Sequence, residues 1–171
     1  MLWRVATASD TSTYTFTSVG FTGTDAWDVM IAAYSGVDTL DPTAVATAFT
    51  AAGSASSSVV APSVTIPTGL GSPALMVSAF LAVKFNATPN LFGWTPPSGM
   101  TERDDLGANF TYGSLADVLV GSGATGTKTA TSITRSGGAS TAPDNPALGL
   151  SLALRPAGGP VPFVSMYNSF H

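Results

Sequence analysis

The residues best placed to do chemistry in this chain stand together in WTPPSGMTERDD, Trp94 to Asp105, where Glu102, Arg103, Asp104 and Asp105 are consecutive. The chain carries 6 Lys and Arg and 10 Asp and Glu, so these four positions hold a quarter of its formal charges. Charged residues are 9% of the sequence, against about 25% in an ordinary soluble domain. Two facing carboxyls about 5 to 9.5 Å apart, one of them held protonated, would suit glycoside hydrolysis. Glu102 and Asp104 share a strand face at period two, and Asp25 with Asp28, or Asp38 with Asp41, are close in sequence. Acids at such spacings are common in turns because Asp accepts local amides, and no burial signal accompanies any of these pairs. Calcium is the second chemistry to weigh. Asp38 and Asp41 in GVDTLDP, or Asp104 and Asp105, offer the hard oxygen ligands it takes, yet no loop has the EF-hand spacing. The simpler reading is that these carboxylates keep strand ends soluble and pair with a nearby Arg.

Other constellations are weaker. The one histidine, His171, is the last residue, where no second group is placed to orient an imidazole, so Ser-His-Asp and zinc chemistry are set aside. The absence of cysteine removes disulfides, thiolate zinc sites and a Cys nucleophile. GSGATGTK lacks the full phosphate-loop spacing and leads into a Thr-rich strand where phosphate binding needs a helix; it reads as a hairpin turn. No cofactor or metal is expected. A net charge of −4 argues against nucleic acid, which needs a basic face.

The elements that must hold these residues read as strands. At 171 residues and 44% hydrophobic the chain suits one domain with a real core. Its Thr content, with 18 Gly and 12 Pro, points to strands separated by turns. Period-two segments appear at TYTFTSV, AWDVMIAAYSGV, SSVVAPSVTI, PALMVSAFLAVKF, around Met100–Arg103, and at NFTYGSLADVLV, GTKTATSITR and ALGLSLALR. The apolar run from Val29 to Ala33 reads as a central strand covered on both faces. About eight strands predict an all-β, two-sheet antiparallel sandwich. One segment, DPTAVATAFTAAG, reads as a helix with Asp41 as cap, Pro42 in the first position and Gly53 at the end, or else as a long surface loop. The apolar run PALMVSAFLAVKF is too short, and too interrupted by Ser78 and Lys84, to span a bilayer, so no membrane insertion is expected. MLWRVATASD does not have the form of a secretory signal.

Residues 1–156 are thus expected to form the sandwich, and 157–171 a linker followed by an irregular apolar arm. Pro156 to Pro162 interrupts regular structure; then Phe163, Val164, Met166, Tyr167 and Phe170 follow without charge. Two readings stand: the arm folds back on its own domain, or it docks on another subunit.

In order, the pieces WRVATASD, YTFT, IAAYSGVDTLDP, SSSVVAPSV, ALMVSAFLA, WTPPSGMTER, LADVLV, GATGTKTAT and LALRP resemble a β-sandwich module of actinobacterial phage minor tail proteins and of some secreted bacterial surface proteins. The resemblance covers most of residues 3 to 156 and implies a jelly-roll-like fold with a structural or adhesive role on a virion or cell surface. It brings no catalytic residues. It also implies that the Pro-Pro-Ser-Gly-Met stretch is a loop entering a strand. Pro96 and Pro97 would fix the backbone, Gly99 would allow the turn, and Met100 would enter the core. Glu102 and Arg103 would then point to opposite faces, with Asp117 across the sheet as the partner expected for Arg103. The module usually has strands before its Trp-Arg-Val-Ala segment, and this chain starts almost on it. The expectation is a shortened version or a replacement of those strands from elsewhere. Either favours a homo-oligomer, a trimer among the options, or a donated strand from the Phe163–Phe170 arm.

Three functions compete. The first is a non-catalytic virion protein, a capsid decoration or minor tail or fibre subunit, contacting copies of itself and other virion proteins and released by lysis without a signal peptide. The second is a carbohydrate-binding or adhesion module that presents Trp27, Trp94 and Tyr112, with Phe110, to a host-surface glycan. The third, a polysaccharide hydrolase, requires two carboxylates facing each other across a groove.

Overall fold

The computed structural model describes residues 5–7, 9, 15, 29–51, 57–70, 73–83, 92–107, 111–134, 147–158 and 164–166. Among them there is no helix. Two antiparallel sheets carry the fold. The longer has the order β2 (Thr43–Ala51), β11 (Leu148–Leu154), β5 (Ala74–Val83), β8 (Thr111–Val120) and β7 (Thr101–Gly107). The shorter has the order β3 (Ser58–Ala61), β10 (Lys128–Thr134) and β6 (Phe92–Thr95). The chain alternates between them, from β2 to β3, from β5 to β6, and from β8 to β10 and back to β11. This is the strand order of a jelly roll, except that β7 has joined β8 in the long sheet and left β6 at an edge. The expectation of an all-β, jelly-roll-like sandwich is met, with eight strands in the two sheets among the described residues. Two further short ladders join β4 (Thr65–Ile66) to β9 (Gly123–Ala124), and β1 (Ala33–Ser35) to β12 (Val164–Met166).

β5 shows why this sequence stacks in layers. Successive side chains on a strand face opposite ways, and ALMVSAFLAV is apolar or small at every position. Its even residues face the short sheet. Phe80 and Ala82 meet Val59, Trp94 and Tyr112, while Ala74 and Met76 meet Val64 and Ile66. Between these two clusters the Ser78 and Ser151 hydroxyls lie 3.5 Å apart, both fully buried. The odd residues Leu75 and Val77 pack with Leu115, Leu152 and Leu154 on the outer face, under Met30, Ala32, Tyr34 and Val37. Residues 30 to 37 therefore form a strap over the long sheet.

Three sequence expectations are corrected here. The strand covered on both faces is β5, whereas the 29–35 segment is covered on one. There Met30, Ala32 and Tyr34 face the sheet, and Val29 and Ile31 are exposed. An apolar run alone does not distinguish the two cases. Asp41–Gly53 is not a helix: Thr43–Ala51 is strand β2, paired with β11. Its β-branched residues favour strand, and the Pro42 carbonyl accepts the Arg155 amide (2.8 Å), a tie across to the end of β11. GSGATGTK is not a hairpin turn. It holds β9 and carries the chain from β8 in one sheet to β10 in the other, pinned where the Thr125 amide donates to the Val64 carbonyl (2.9 Å). TYTFTSV lies outside the described residues apart from Thr15.

At Gly149 on β11 the backbones of the two sheets come into direct contact. A Cβ there would lie 2.2 Å from the Val60 carbonyl oxygen on β3, so only glycine lets the two backbones pass.

Candidate functional site

The charged stretch is built as the sequence suggests. Pro97 accepts the Met100 amide (3.1 Å), closing a turn with Gly99 at φ +79°, a backbone state that favours glycine. Met100 is buried and β7 begins. Glu102 turns toward the short-sheet side, where its Oε1 accepts the buried Ser114 hydroxyl (2.9 Å). The β7–β8 register then shifts between Glu102 and Asp104, a bulge that re-aims Arg103. The Arg103 guanidinium grips Asp117 through two bonds, Nε to Oδ2 at 2.7 Å and Nη2 to Oδ1 at 2.8 Å. The expected opposite facing of Glu102 and Arg103, and the expected Asp117 partner, are both met. Two residues further on, Asp105 Oδ1 accepts the Trp94 backbone amide from β6 (3.2 Å), so a side chain takes up a donor at the edge of the short sheet.

Asp117 is 3% exposed and Arg103 28%. The bidentate bond holds the Arg103 guanidinium more firmly protonated than usual. Above the pair lies Tyr34 of the strap, whose buried hydroxyl stands close to the Asp117 carboxylate. Burial first, then the Asp117 charge, push its ionisation well above its ordinary value. An open hollow of about 310 Å³ runs past the pair, lined by Leu75, Gly99, Thr101, Leu119 and their neighbours. A guanidinium clamped in a fork and a phenol held neutral supply neither a free base nor a nucleophile at neutral pH. Their arrangement ties edge strand β7 to β8 and seats the strap.

Two expectations follow for this cluster. Arg103→Ala should lower stability by about 2 kcal/mol, because it leaves a buried carboxylate without its counter-charge; urea unfolding of the two proteins measures it. Tyr34→Phe removes a buried hydroxyl beside Asp117 and should change stability at neutral pH by less than about 1 kcal/mol. It should also change the alkaline limb. With the folded Tyr34 value raised above 10.0, the unfolded chain loses this proton first. Stability is then complete below pH 10 and falls as pH rises beyond it. Thermal midpoints measured up to pH 12 should fall less steeply for Tyr34→Phe than for the parent.

The remaining sequence candidates separate clearly. Trp94 and Tyr112, the aromatics expected to face a glycan, are 1% and 2% exposed. They stack on each other with ring centroids 5.1 Å apart, and the Trp94 indole donates to the Tyr112 carbonyl (3.4 Å). That expectation is corrected: both sit at inward positions of strands facing the other sheet, where large apolar area is worth most when buried. Trp27 and Phe110 lie outside the described residues, as do Asp25 and Asp28. Asp38 Oδ1 accepts the Leu40 and Asp41 amides (2.9 and 3.3 Å), capping its own turn. Asp41 pairs with Arg155 at 2.9 Å. Among the described residues no three His, Cys, Asp or Glu side chains converge as a metal-holding group. Of the arm, Val164 and Met166 belong to β12, paired in-chain with β1, which is the fold-back reading; Phe163, Tyr167, Phe170 and His171 lie outside the described residues. Sequence reasoning missed Tyr34 as the cover of the ion pair. Its period-two spacing from Met30 and Ala32 was the available signal.

No family model, no curated protein and no solved structure matches this chain.

Proposed function

We propose that the protein is a non-catalytic structural subunit of a virion, a capsid decoration or a minor tail or fibre subunit, working through contacts with copies of itself and with neighbouring virion proteins. The jelly-roll frame serves both viral capsid and lectin domains, and a frame alone assigns no function. What favours the structural reading is the destination of the aromatics. Trp94 and Tyr112, which a lectin would present to sugar rings, fill the space between the sheets. The ionised residues support it in turn. Glu102, Arg103, Asp105 and Asp117 each hold one strand to another, so the scarce charge of this chain acts as bracing. The resemblance to phage tail modules points the same way, and such a subunit would act outside a cell after release by lysis.

The test is location. Antibody raised against the full chain, with gold detection, should decorate particles banded from lysates of the source culture. Gold confined to the soluble fraction, with bare particles, would overturn the proposal. Binding of the isolated protein to a glycan array, abolished by Trp27→Ala, would move the assignment to the carbohydrate reading.

A further inference from the structure

The two most exposed large apolar side chains among the described residues, Leu40 at 96% and Leu119 at 56%, stand at one end of the long sheet. The register puts them there. Leu119 on β8, Leu75 on β5 and Leu154 on β11 form one row across the outer face, and Thr43, three residues after Leu40, stands beside Leu154. The strap covers Leu154 and Leu75, which are buried with Tyr34 and Val37 packed against their cluster, and leaves Leu119 uncovered. Beside Leu119 opens the hollow of about 310 Å³ that Leu75, Gly99 and Thr101 also line. From β2 to β8 is three strand spacings, about 14 Å. Leu40 is fixed in place on its side of this end. Asp38 Oδ1 accepts the Leu40 and Asp41 amides, and Asp41 pairs with Arg155 at 2.9 Å. The Arg155 backbone bonds both the Asp38 amide (3.0 Å) and the Pro42 carbonyl (2.8 Å). A leucine thus occupies a braced turn where polar residues are the rule. Exposed leucines scattered singly are ordinary. Two at one end, with a hollow next to one and a rigid turn under the other, form a surface.

We propose that this end of the long sheet docks a different virion protein, one that offers apolar side chains to Leu40, Leu119 and the hollow, with Lys or Arg at its rim. Charge selects the partner. Arg155 balances Asp41 and Arg103 balances Asp117, which leaves Asp38 as the unbalanced charge of this end among the described residues. A cationic rim meets it, whereas a second copy, itself at net charge −4, would bring the same acid against it. Anionic membrane headgroups are disfavoured for the same reason. The described residues of this end offer no aromatic ring for a sugar to stack on. An apolar anchor already fixed in its bound position loses little freedom on docking, which is what makes such a residue effective. This deepens the virion reading above and rests on it.

The test pairs folding with incorporation. Full-length protein carrying Leu40→Ser and Leu119→Thr should keep the parent's urea midpoint almost unchanged, because both side chains are exposed. Particles from a culture that carries only this double variant should lose immunogold label about tenfold or more relative to the parent. Val60→Thr, at an exposed apolar position of the short sheet, is the control and should label as the parent does. A double variant that labels particles as well as the parent overturns the docking surface and leaves the virion assignment standing. Particles left bare by the parent itself overturn both. Light scattering separates the remaining occupant: a parent that self-associates, and a double variant that does not, would give this end to a second copy and overturn the partner named here.

Discussion

A Gly149→Ala protein should unfold at a much lower denaturant concentration than its parent, with a loss of about 3 kcal/mol or more. The added methyl would sit 2.2 Å from the Val60 carbonyl oxygen and 2.5 Å from its carbon. Neither obstacle is a side chain that can rotate away. To reach an ordinary contact, β3 and β11 have to separate by roughly 1 Å, and that opening spreads through a close-packed interior. Gly149 is paired with Phe80 on one side and Thr50 on the other, so tilting β11 alone strains two ladders. Gly113→Ala is the control. There the nearest atom is the Met30 Cε at 3.0 Å, the end of a flexible side chain, and the loss should stay under about 1 kcal/mol. Equal losses at the two sites, measured by urea unfolding, would contradict a backbone-on-backbone contact at Gly149.

Trp94→Ala carries the second large effect, about 4 kcal/mol. Trp94 is among the largest fully buried side chains among the described residues, and it packs with Phe80, Tyr112 and Val59. Truncation removes its transfer energy, the stack with Tyr112, and the indole donation to the Tyr112 carbonyl, and it leaves a cavity between sheets held at fixed spacing. Trp94→Phe keeps a ring in place and should recover more than half of the loss. If Trp94 instead faced a ligand, truncation would weaken binding and leave the unfolding midpoint almost unchanged. Denaturation curves with and without candidate sugars separate the two.

How much of this was legible beforehand depended on whether a residue's partner is set by local spacing. Arg103 and Asp117 could be paired from sequence because charge is scarce, and strand alternation puts Glu102 and Arg103 on opposite faces. Met100 and Gly99 were legible because the turn chemistry of Pro97-Ser98-Gly99 is local. β2 was not. Asp41, Pro42 and Gly53 imitate a helix start and stop, and the alanines between them offset the strand preference of Thr and Val until β11 is beside them. Nor could composition say which apolar run would be sandwiched. The Val29–Ala33 run and β5 look alike, and only topology puts β5 in the middle of five strands. Trp94 is the sharpest case: residue type suits both a sugar platform and a core, and position in the sheet decides. Gly149 had no signal at all, because its obstacle, Val60, is 89 positions away in the chain.

The β6 margin has a consequence for strand addition. With β7 transferred to the other sheet, β6 closes one side of a three-stranded array, where an intruding strand would normally find open amides. The Asp105 carboxylate already occupies the Trp94 donor, and the Arg103 bulge distorts the neighbouring margin of the long sheet. A newcomer would have to displace a negative charge at one border and match an irregular spacing at the other. Addition of a strand at these two borders is thereby discouraged.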